Sequence, residues 1–453
     1  MIKKPHHGWQ AMRSSFWFVP ALMVLNAVVL AILLITVDSS VDLHLEARWP
    51  LLFGAGAAGA RGLLTTVAGS MITVAGLVFS ITLVALSLTS SQYSSRVIRN
   101  FMRDRVNQWV LGAFLGIFAY CLVVLRTIRD GDGGTFVPTL AVLTGLMLAF
   151  VGIAVLIHFI HHIATSLQAS SIVATAAQET LAAVDHLFPK TLEEDDDRGA
   201  DDSLASAYNR QPWLAFPARK TGYIETLDAD ALLDVARKLE TLLRMEHGVG
   251  DFVAEGTPLV SLLDPGDLDD ATTARLNAVY VIGRQRTVEQ DVAFGIRQLV
   301  DVAMKALSPG INDTTTAVMC VDHLAAILTR LATRRIAAAQ YWLDQGVVRV
   351  IARGPSFEGL LDEAFDQIRQ HAEGNVATLL RLLGALQTIA GVTQSPHRRW
   401  VLGRKVDEIA ETAERSIASP HDRDRLANRL MRVREALAGG PLSFVQIDQS
   451  ETH

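Results

Sequence analysis

Between residues 62 and 88, hydroxyls and glycines recur at a fixed spacing. Thr66, Thr73, Ser80 and Ser87 stand seven residues apart, and Gly62, Gly69 and Gly76 repeat with the same period, each four residues ahead of a hydroxyl. On an α-helix residues at i, i+4 and i+7 share a face, so both rows form one stripe. Such a stripe either packs helices closely, or lines a pore in which several copies present rings of hydroxyls with Phe79 or a leucine as an apolar constriction. The stretch runs on into Arg96, Arg99, Arg103 and Arg105. Four guanidinium groups there are a cytoplasmic-side anchor, a contact for anionic lipid heads, or a channel mouth that prefers anions. Farther along, Ser308-Pro309-Gly310-Ile311-Asn312-Asp313 ends one helix and caps the next through Asn312 or Asp313. The free N–H groups of such a start can also hold a phosphate or carboxylate, with Arg284, Arg286 and Arg297 as cationic partners.

Other chemistry is poorly represented. His158 and His162 have the i, i+4 spacing of transition-metal ligands, but no third acidic or sulfur ligand stands beside them in the sequence, so no metal is expected. No Gly-rich loop ends in Gly-Lys-Ser/Thr, and neither Gly-x-Ser-x-Gly nor His-Glu-x-x-His occurs. The expectation is a protein that is not an enzyme and carries no cofactor. Cys121 and Cys320 make no spaced framework and read as reduced core residues.

The elements that must position these groups follow from hydropathy. Half of the 453 residues are hydrophobic and 19% are charged, with a mean hydropathy of +0.28. This excludes a disordered chain, a nucleic-acid binder and an ordinary cytosolic enzyme. A helix needs about 20 apolar residues to cross a bilayer core. Four stretches satisfy this: Phe16 to Val37, Leu63 to Leu88, Val110 to Ile128 and Phe136 to Ile160. The first is about twice the length of a signal peptide's apolar core and lacks a small-x-small cleavage site, so it reads as a retained anchor. Among the first three, Arg126, two residues before the end of the third, is the only Asp, Glu, Lys, Arg or His, which argues against a charge-coupled transporter. Lys3, Lys4 and Arg13 precede the first span and the arginine cluster follows the second, which places both termini in the cytoplasm of an inner-membrane protein.

The charge balance changes after residue 165. Up to there Lys and Arg outnumber Asp and Glu by 11 to 6, and beyond it acids lead by 41 to 30. A basic membrane part is therefore followed by an acidic soluble part. The reading divides the chain into a four-span domain (1–165), a helical extension and acidic linker (166–211), a small β domain (212–265), a helical cytoplasmic domain (266–438) and a disordered tail (439–453). Span four is expected to run on as one helix to about His186. The acidic run LEEDDDRGADDS then reads as a solvated linker, since it lacks the spaced ligands of a calcium loop. Residues 219–225 and 250–262 read as strands flanking a helix over Asp228 to Leu243. Helices follow over Leu268 to Val281, Glu289 to Leu307, about 316 to 335, 357 to 371, 376 to 390, 399 to 417 and 422 to 437, with a strand over Val347 to Ala352. GDFVAEGTPL resembles the half-motif of barrel-sandwich domains of the biotinyl or lipoyl kind. No lysine stands in LLDPGD where such domains carry a cofactor.

TSSQYSSR, GDFVAEGTPL and above all FGIRQLVDVAMKALSPGINDTTTA resemble a bacterial family of predicted membrane proteins, domain of unknown function 2254, over the chain from the first span to about residue 435. The resemblance implies four spans and a cytoplasmic domain and supplies no established activity. Thr314 departs from it, standing where the family form SPGINDP has proline, which loosens the expected cap. The fold class is thus an α-helical membrane protein with a cytoplasmic α+β part, a barrel-sandwich-like domain and a helical bundle. Its expected function is a homo-oligomeric ion channel lined by the second span, or alternatively a membrane-anchored sensor or scaffold. Membrane lipid, further copies of the chain and inorganic ions are the expected partners; nucleic acid is not.

Overall fold

Hydrocarbon offers a backbone no hydrogen-bond partner, so apolar stretches of this length close their own bonds as helices. The computed structural model describes residues 17–40, 56–92, 105–129, 136–166, 168–188, 212–264, 270–336, 339–344 and 346–439. The chain divides into two compact units, Met1–Ser171 and Ile172–His453. In the first, the four apolar stretches form α1 (Phe18–Ser40), α2 (Gly56–Gln92), α3 (Arg105–Thr127) and α4 (Thr139–Ser166). The continuation of the second span from residue 93 to 104 lies outside the described residues, as do the acidic linker and the C-terminal tail.

Close approach in this unit is made by glycines that the sequence reading passed over. A Cβ built at Gly112 of α3 would lie 2.6 Å from Met23 Sδ and 3.0 Å from Pro20 Cα of α1, and one at Gly116 would lie 3.5 Å from Ala27. GAFLG is thus a small-xxx-small seam. On α4, Gly145 and Gly152 receive Leu64 and Met71 of α2, with built Cβ distances of 2.9 and 3.1 Å. Knobs seven residues apart on one helix fill gaps seven residues apart on the other. Ala57, Ala60, Ala68, Ala75 and Val78 complete the inward face of α2, against a core that holds Phe114, Tyr120 and Phe159. Polar groups fasten the helix ends. Asp38 accepts from the N–H groups of Leu140 and Ala141 at 3.2 and 3.1 Å, capping α4, and Arg61 donates to the Ile128 carbonyl at 2.8 Å.

The helix after α4 is separate: α5 (Ala169–Leu187) starts anew after Ser166, which corrects the expected single helix to His186. The strands also extend beyond residues 212–265. β1 (Trp213–Pro217), β2 (Gly222–Leu227), α6 (Ala229–Lys238), β3 (Leu242–Met245), β4 (Phe252–Val253) and β5 (Pro258–Leu263) fall inside that window. After them come α7 (Asp270–Val279), β6 (Tyr280–Gly283), α8 (Val292–Ala306), α9 (Thr314–Ala332), β7 (Ala339–Asp344) and β8 (Val347–Arg353). One sheet has the order β1-β5-β3-β8-β7 and the other β4-β2-β6. β3 lies parallel to β8, with Leu243 opposite Val350, and β6 pairs antiparallel with β2. Both sheets are therefore closed by strands from outside the expected β domain. Their buried core includes Ile224, Leu232, Leu243, Leu262, Leu276 and Val350.

The expected helix over 228–243 ends early for a definite reason. Thr241 N–H bonds to the Ala236 carbonyl and Glu240 N–H to Arg237, while Glu240 adopts φ +50°. This is a helix stop of the kind usually made by glycine.

The remaining helices are α10 (Phe357–His371), α11 (Val376–Val392), α12 (Pro396–Ser416) and α13 (Pro420–Ala438), led by the caps Ser356, Asn375, Ser395 and Ser419. Five described helices are long and apolar enough to cross a membrane, α1 to α4 and α9; over half of the apolar stretch of α9 is buried within the second unit. Arg334, Arg398 and Lys405 are sealed cations among the described residues of this unit. Arg398 donates from Nη1 to the carbonyls of Leu331, Ala332 and Arg334 at 2.9–3.2 Å, closing the C-terminal end of α9. Lys405 pairs with Asp362, Asp366 and Glu408 at 2.5–2.7 Å while its side chain is 1% exposed. Burial alone would lower the Lys405 pKa; pairing with the three carboxylates outweighs it and holds the group above its ordinary value.

Lys405→Met strands those three carboxylates. It should destabilise the protein by about 3–5 kcal/mol at neutral pH, read as a lower unfolding temperature of the purified protein. Because the folded-state pKa is raised, the contribution is complete below the ordinary lysine value of 10.5. On the alkaline side the gap between variant and wild type should therefore begin to narrow once pH rises above that value.

Candidate functional site

At about 100° per residue, the glycine and hydroxyl rows of α2 lie about 160° round the helix from the row of Leu64, Ala68, Met71 and Ala75. The exposures agree. Gly62, Thr66, Gly69, Thr73, Gly76, Ser80 and Ser87 are all exposed, and nothing lies within 4 Å of a Cβ built at Gly62, Gly69 or Gly76. The stripe thus faces away from every described helix of its own unit, and these three glycines pack nothing within it. Thr66 donates to the Gly62 carbonyl, Ser70 to Thr66 and Thr73 to Gly69, each at 2.8 Å. With their protons committed to the helix, these hydroxyls turn only oxygen lone pairs outward. Ser70, four residues beyond Thr66, joins the stripe and was missed by a search for a seven-residue period. Phe79 borders the stripe, about 100° round from Ser80. It is exposed, as is Ile72 on the same side, while Leu77 and Val84 repeat the Ser70 position at seven-residue intervals and add exposed apolar side chains to the stripe.

Arg96, Arg99 and Arg103 lie outside the described residues; Arg105 is exposed at the first position of α3. In the Ser308–Asp313 turn, Asn312 takes φ +51° and Asp313 caps α9, accepting from Thr316 N–H at 3.0 Å and from its hydroxyl at 2.5 Å. These bonds, the hydroxyl's first, hold the Asp313 carboxyl below the usual carboxylate range. The N-terminus of α9 is therefore already occupied by a negative charge. Ser308 donates to the Lys305 carbonyl, and Gly310 has open space beside it. Arg297 is not part of this turn: ten residues before Leu307 on α8, it lies about 15 Å along the axis and pairs with Glu363. Arg286 bonds elsewhere as well. The cap is not loosened by Thr314, whose hydroxyl accepts from Asn375 Nδ2 at 2.8 Å, a bond proline could not make. Two helix starts, α9 and α11, are tied together there.

A cavity of about 500 Å³ opens in the second unit, with Leu227, Met245, Val292 and Trp342 on its apolar wall and Arg286, Asp291 and Arg353 on its polar wall. This is the size range of small-molecule sites. Asp291 caps α8 through Phe294 N–H at 3.0 Å and also takes Nε and Nη2 of Arg286 at 2.7 and 2.9 Å. Burial alone would lower the Arg286 pKa; its bonds to Asp291 outweigh that and raise it. Gln290 bridges to β2, accepting from Leu227 N–H at 2.8 Å and donating to its carbonyl at 3.3 Å. The turn before β4 comes close to this pair because residue 250 is glycine. Its φ is +93°, and an added Cβ would run into the Asp291 carboxylate and come within 3.0 Å of Arg286 Nη2. The sequence carried one trace of this arrangement, Gly250 in the strand motif, but not the partner 41 residues away.

A unit built of long apolar helices, joined in one chain to a mixed α/β unit, defines the class: a predicted membrane protein. The chain belongs to the family of predicted membrane proteins designated DUF2254, whose model matches residues 13–388 and so stops short of residue 435, to which the motifs had pointed. Uncharacterised proteins of Mycobacterium bovis and of two Mycobacterium tuberculosis strains are 34% identical to it over 418 residues, 88% of this chain and 77% of each relative. No solved structure matches the chain.

Gly250→Ala tests the cavity wall. Left-handed backbone and collision with the Arg286–Asp291 pair together should cost about 1–3 kcal/mol, seen as a lower unfolding temperature. A neutral substitution would remove Gly250 from the wall's support.

Proposed function

We propose that this protein is a homo-oligomeric channel of the inner membrane. In this reading α1 to α4 cross the bilayer with both termini in the cytoplasm, and copies of α2 meet through the outward stripe around an ion path. The observation that carries it is the direction of the stripe, away from the helices of its own unit. Lipid chains gain little from a row of glycines, whereas a second helix can approach closely along it. Hydroxyls that spend their protons on backbone carbonyls offer a ring of oxygens to a permeant ion, which favours a cation. The lysines and arginines before α1 and after α2 support the orientation. Asp322, His323 and Arg330 within α9, and its burial among the helices of the second unit, support leaving that helix out of the bilayer. The absence of recognised catalytic motifs supports a role other than an enzyme's.

A second reading, a membrane-anchored sensor or scaffold, is favoured by the cavity of about 500 Å³ behind Gly250. The two readings differ in what the membrane unit does when the cavity is empty.

Purified protein in planar bilayers should give cation-selective currents that Ser80→Leu abolishes. Thr73→Cys should cross-link copies on mild oxidation, while the wild type, whose Cys121 and Cys320 are both buried, stays uncrosslinked. A folded protein with silent bilayers and no Thr73→Cys dimer would sink the channel and leave the sensor.

A further inference from the structure

A second opening in the α/β unit has a different character. Residues of α9, α11 and α13 line a groove of about 630 Å³ into which Arg330, Arg381 and Arg429 converge. The helical region around it, residues 266–438, is nearly charge-balanced, with 22 Lys and Arg against 21 Asp and Glu. Asp322 is the one acidic residue of the lining.

Two of the arginines are held loosely. Arg381 pairs with Asp322, and Arg330 with Asp185 at 3.2 Å, with all four side chains 38–51% exposed. Exposed pairs of this kind contribute little and open readily. Arg429 has no carboxylate partner among the described residues and is half-buried. Its position depends on Gly384: a Cβ built there would lie 2.7 Å from Arg429 Nη2. The glycine therefore leaves room for the guanidinium beside α11 in the groove lining.

A further polar atom waits in the same groove. Thr329 Oγ1 is buried and has no hydrogen-bond partner, a state that proteins rarely tolerate without a reason. Thr329 lines the groove on α9, two turns after Asp322, one turn after Ala325 and next to Arg330. The carbonyls at the C-terminal end of α9, which would repel an anion, are taken up by Arg398.

We propose that this groove binds a phosphate-bearing anion with two adjacent negative centres, held by the forks of Arg429, Arg381 and Arg330 and by the Thr329 hydroxyl. Planar guanidinium forks match phosphate oxygens in pairs. A dianion takes Arg330 and Arg381 from their exposed carboxylate partners and gives Arg429 the partner it lacks. The same chemistry is presented by a soluble diphosphate and by a lipid headgroup that ends in a phosphomonoester.

The probe is inorganic pyrophosphate, titrated calorimetrically into the full-length protein in phosphatidylcholine nanodiscs. Arg429→Ala should weaken binding about tenfold or more, the usual effect of removing a charged hydrogen bond. Gly384→Ala keeps every charge and improves helix propensity, yet displaces the guanidinium. It should weaken pyrophosphate binding while the unfolding temperature stays level or rises. Thr329→Val should also weaken binding with stability kept. Absent binding, or unchanged affinity in Arg429→Ala and Gly384→Ala, overturns the proposal. Repeating the titration in nanodiscs containing phosphatidic acid identifies the source. Competition that disappears in Arg429→Ala assigns the groove to a headgroup, and unchanged affinity assigns it to a soluble diphosphate. Bilayer conductance is a separate measurement, so either reading can fail alone.

Discussion

How near two backbones can come is the constraint on which the membrane unit rests. Helices that have closed all their own hydrogen bonds gain from one another chiefly through packing, and packing distance is set by the smallest side chain at the crossing. Gly112 and Gly116 admit α1, while Gly145 and Gly152 admit the larger Leu64 and Met71 of α2. α2 therefore gives bulk inward and receives space from its neighbours. Its own glycines are on the other side, where nothing in the described chain uses them.

The second unit is held by a different device, closure of polar ends by buried cations. Arg398 gathers three carbonyls where α9 stops, and Arg334 reaches back to the Phe188 carbonyl at 3.0 Å and to Asp185 of α5. Lys405 does the same for carboxylates on α10 and α12. Each is satisfied by several partners at once, which is what allows a full charge to sit in a low-dielectric interior. The cavity wall follows the same pattern on a smaller scale: Asp291 is cap, ion-pair partner and neighbour of Gly250 together.

What could be read from the chain alone follows from the range of each signal. Runs of apolar residues mark α1 to α4 because the requirement is local and long. The stripe on α2 was visible as a period, but a period does not say which side faces the protein; Leu64 and Met71 had to be seen in the gaps at Gly145 and Gly152. β3 was hidden because Glu240, not glycine, makes the turn before it, and because Leu242 and Leu243 extend the apolar pattern of α6. β6 continues α7 without a break, so Tyr280-Val-Ile-Gly reads as its last turn. The SPGIND turn was read as a cap, which is its visible bonding. Arg297 and Arg286 were drawn to it by proximity in sequence, though Glu363 and Asp291 claim them in space. The arginine groove was invisible, since its three guanidinium groups come from helices up to 99 residues apart.

The parallel pairing of β3 with β8 also bears on how the chain is made. β3 ends at Met245 and β8 begins at Val347, so about 100 residues must be synthesised between them. At roughly 5–20 residues per second, the nascent chain carries β1, β5 and β3 with one edge of β3 unpaired for about 5 to 20 seconds. During that interval the open edge is a template for any other extended chain. Slower synthesis of residues 264–346 lengthens the time that edge stays open, and a ribosome-bound chaperone would cover it.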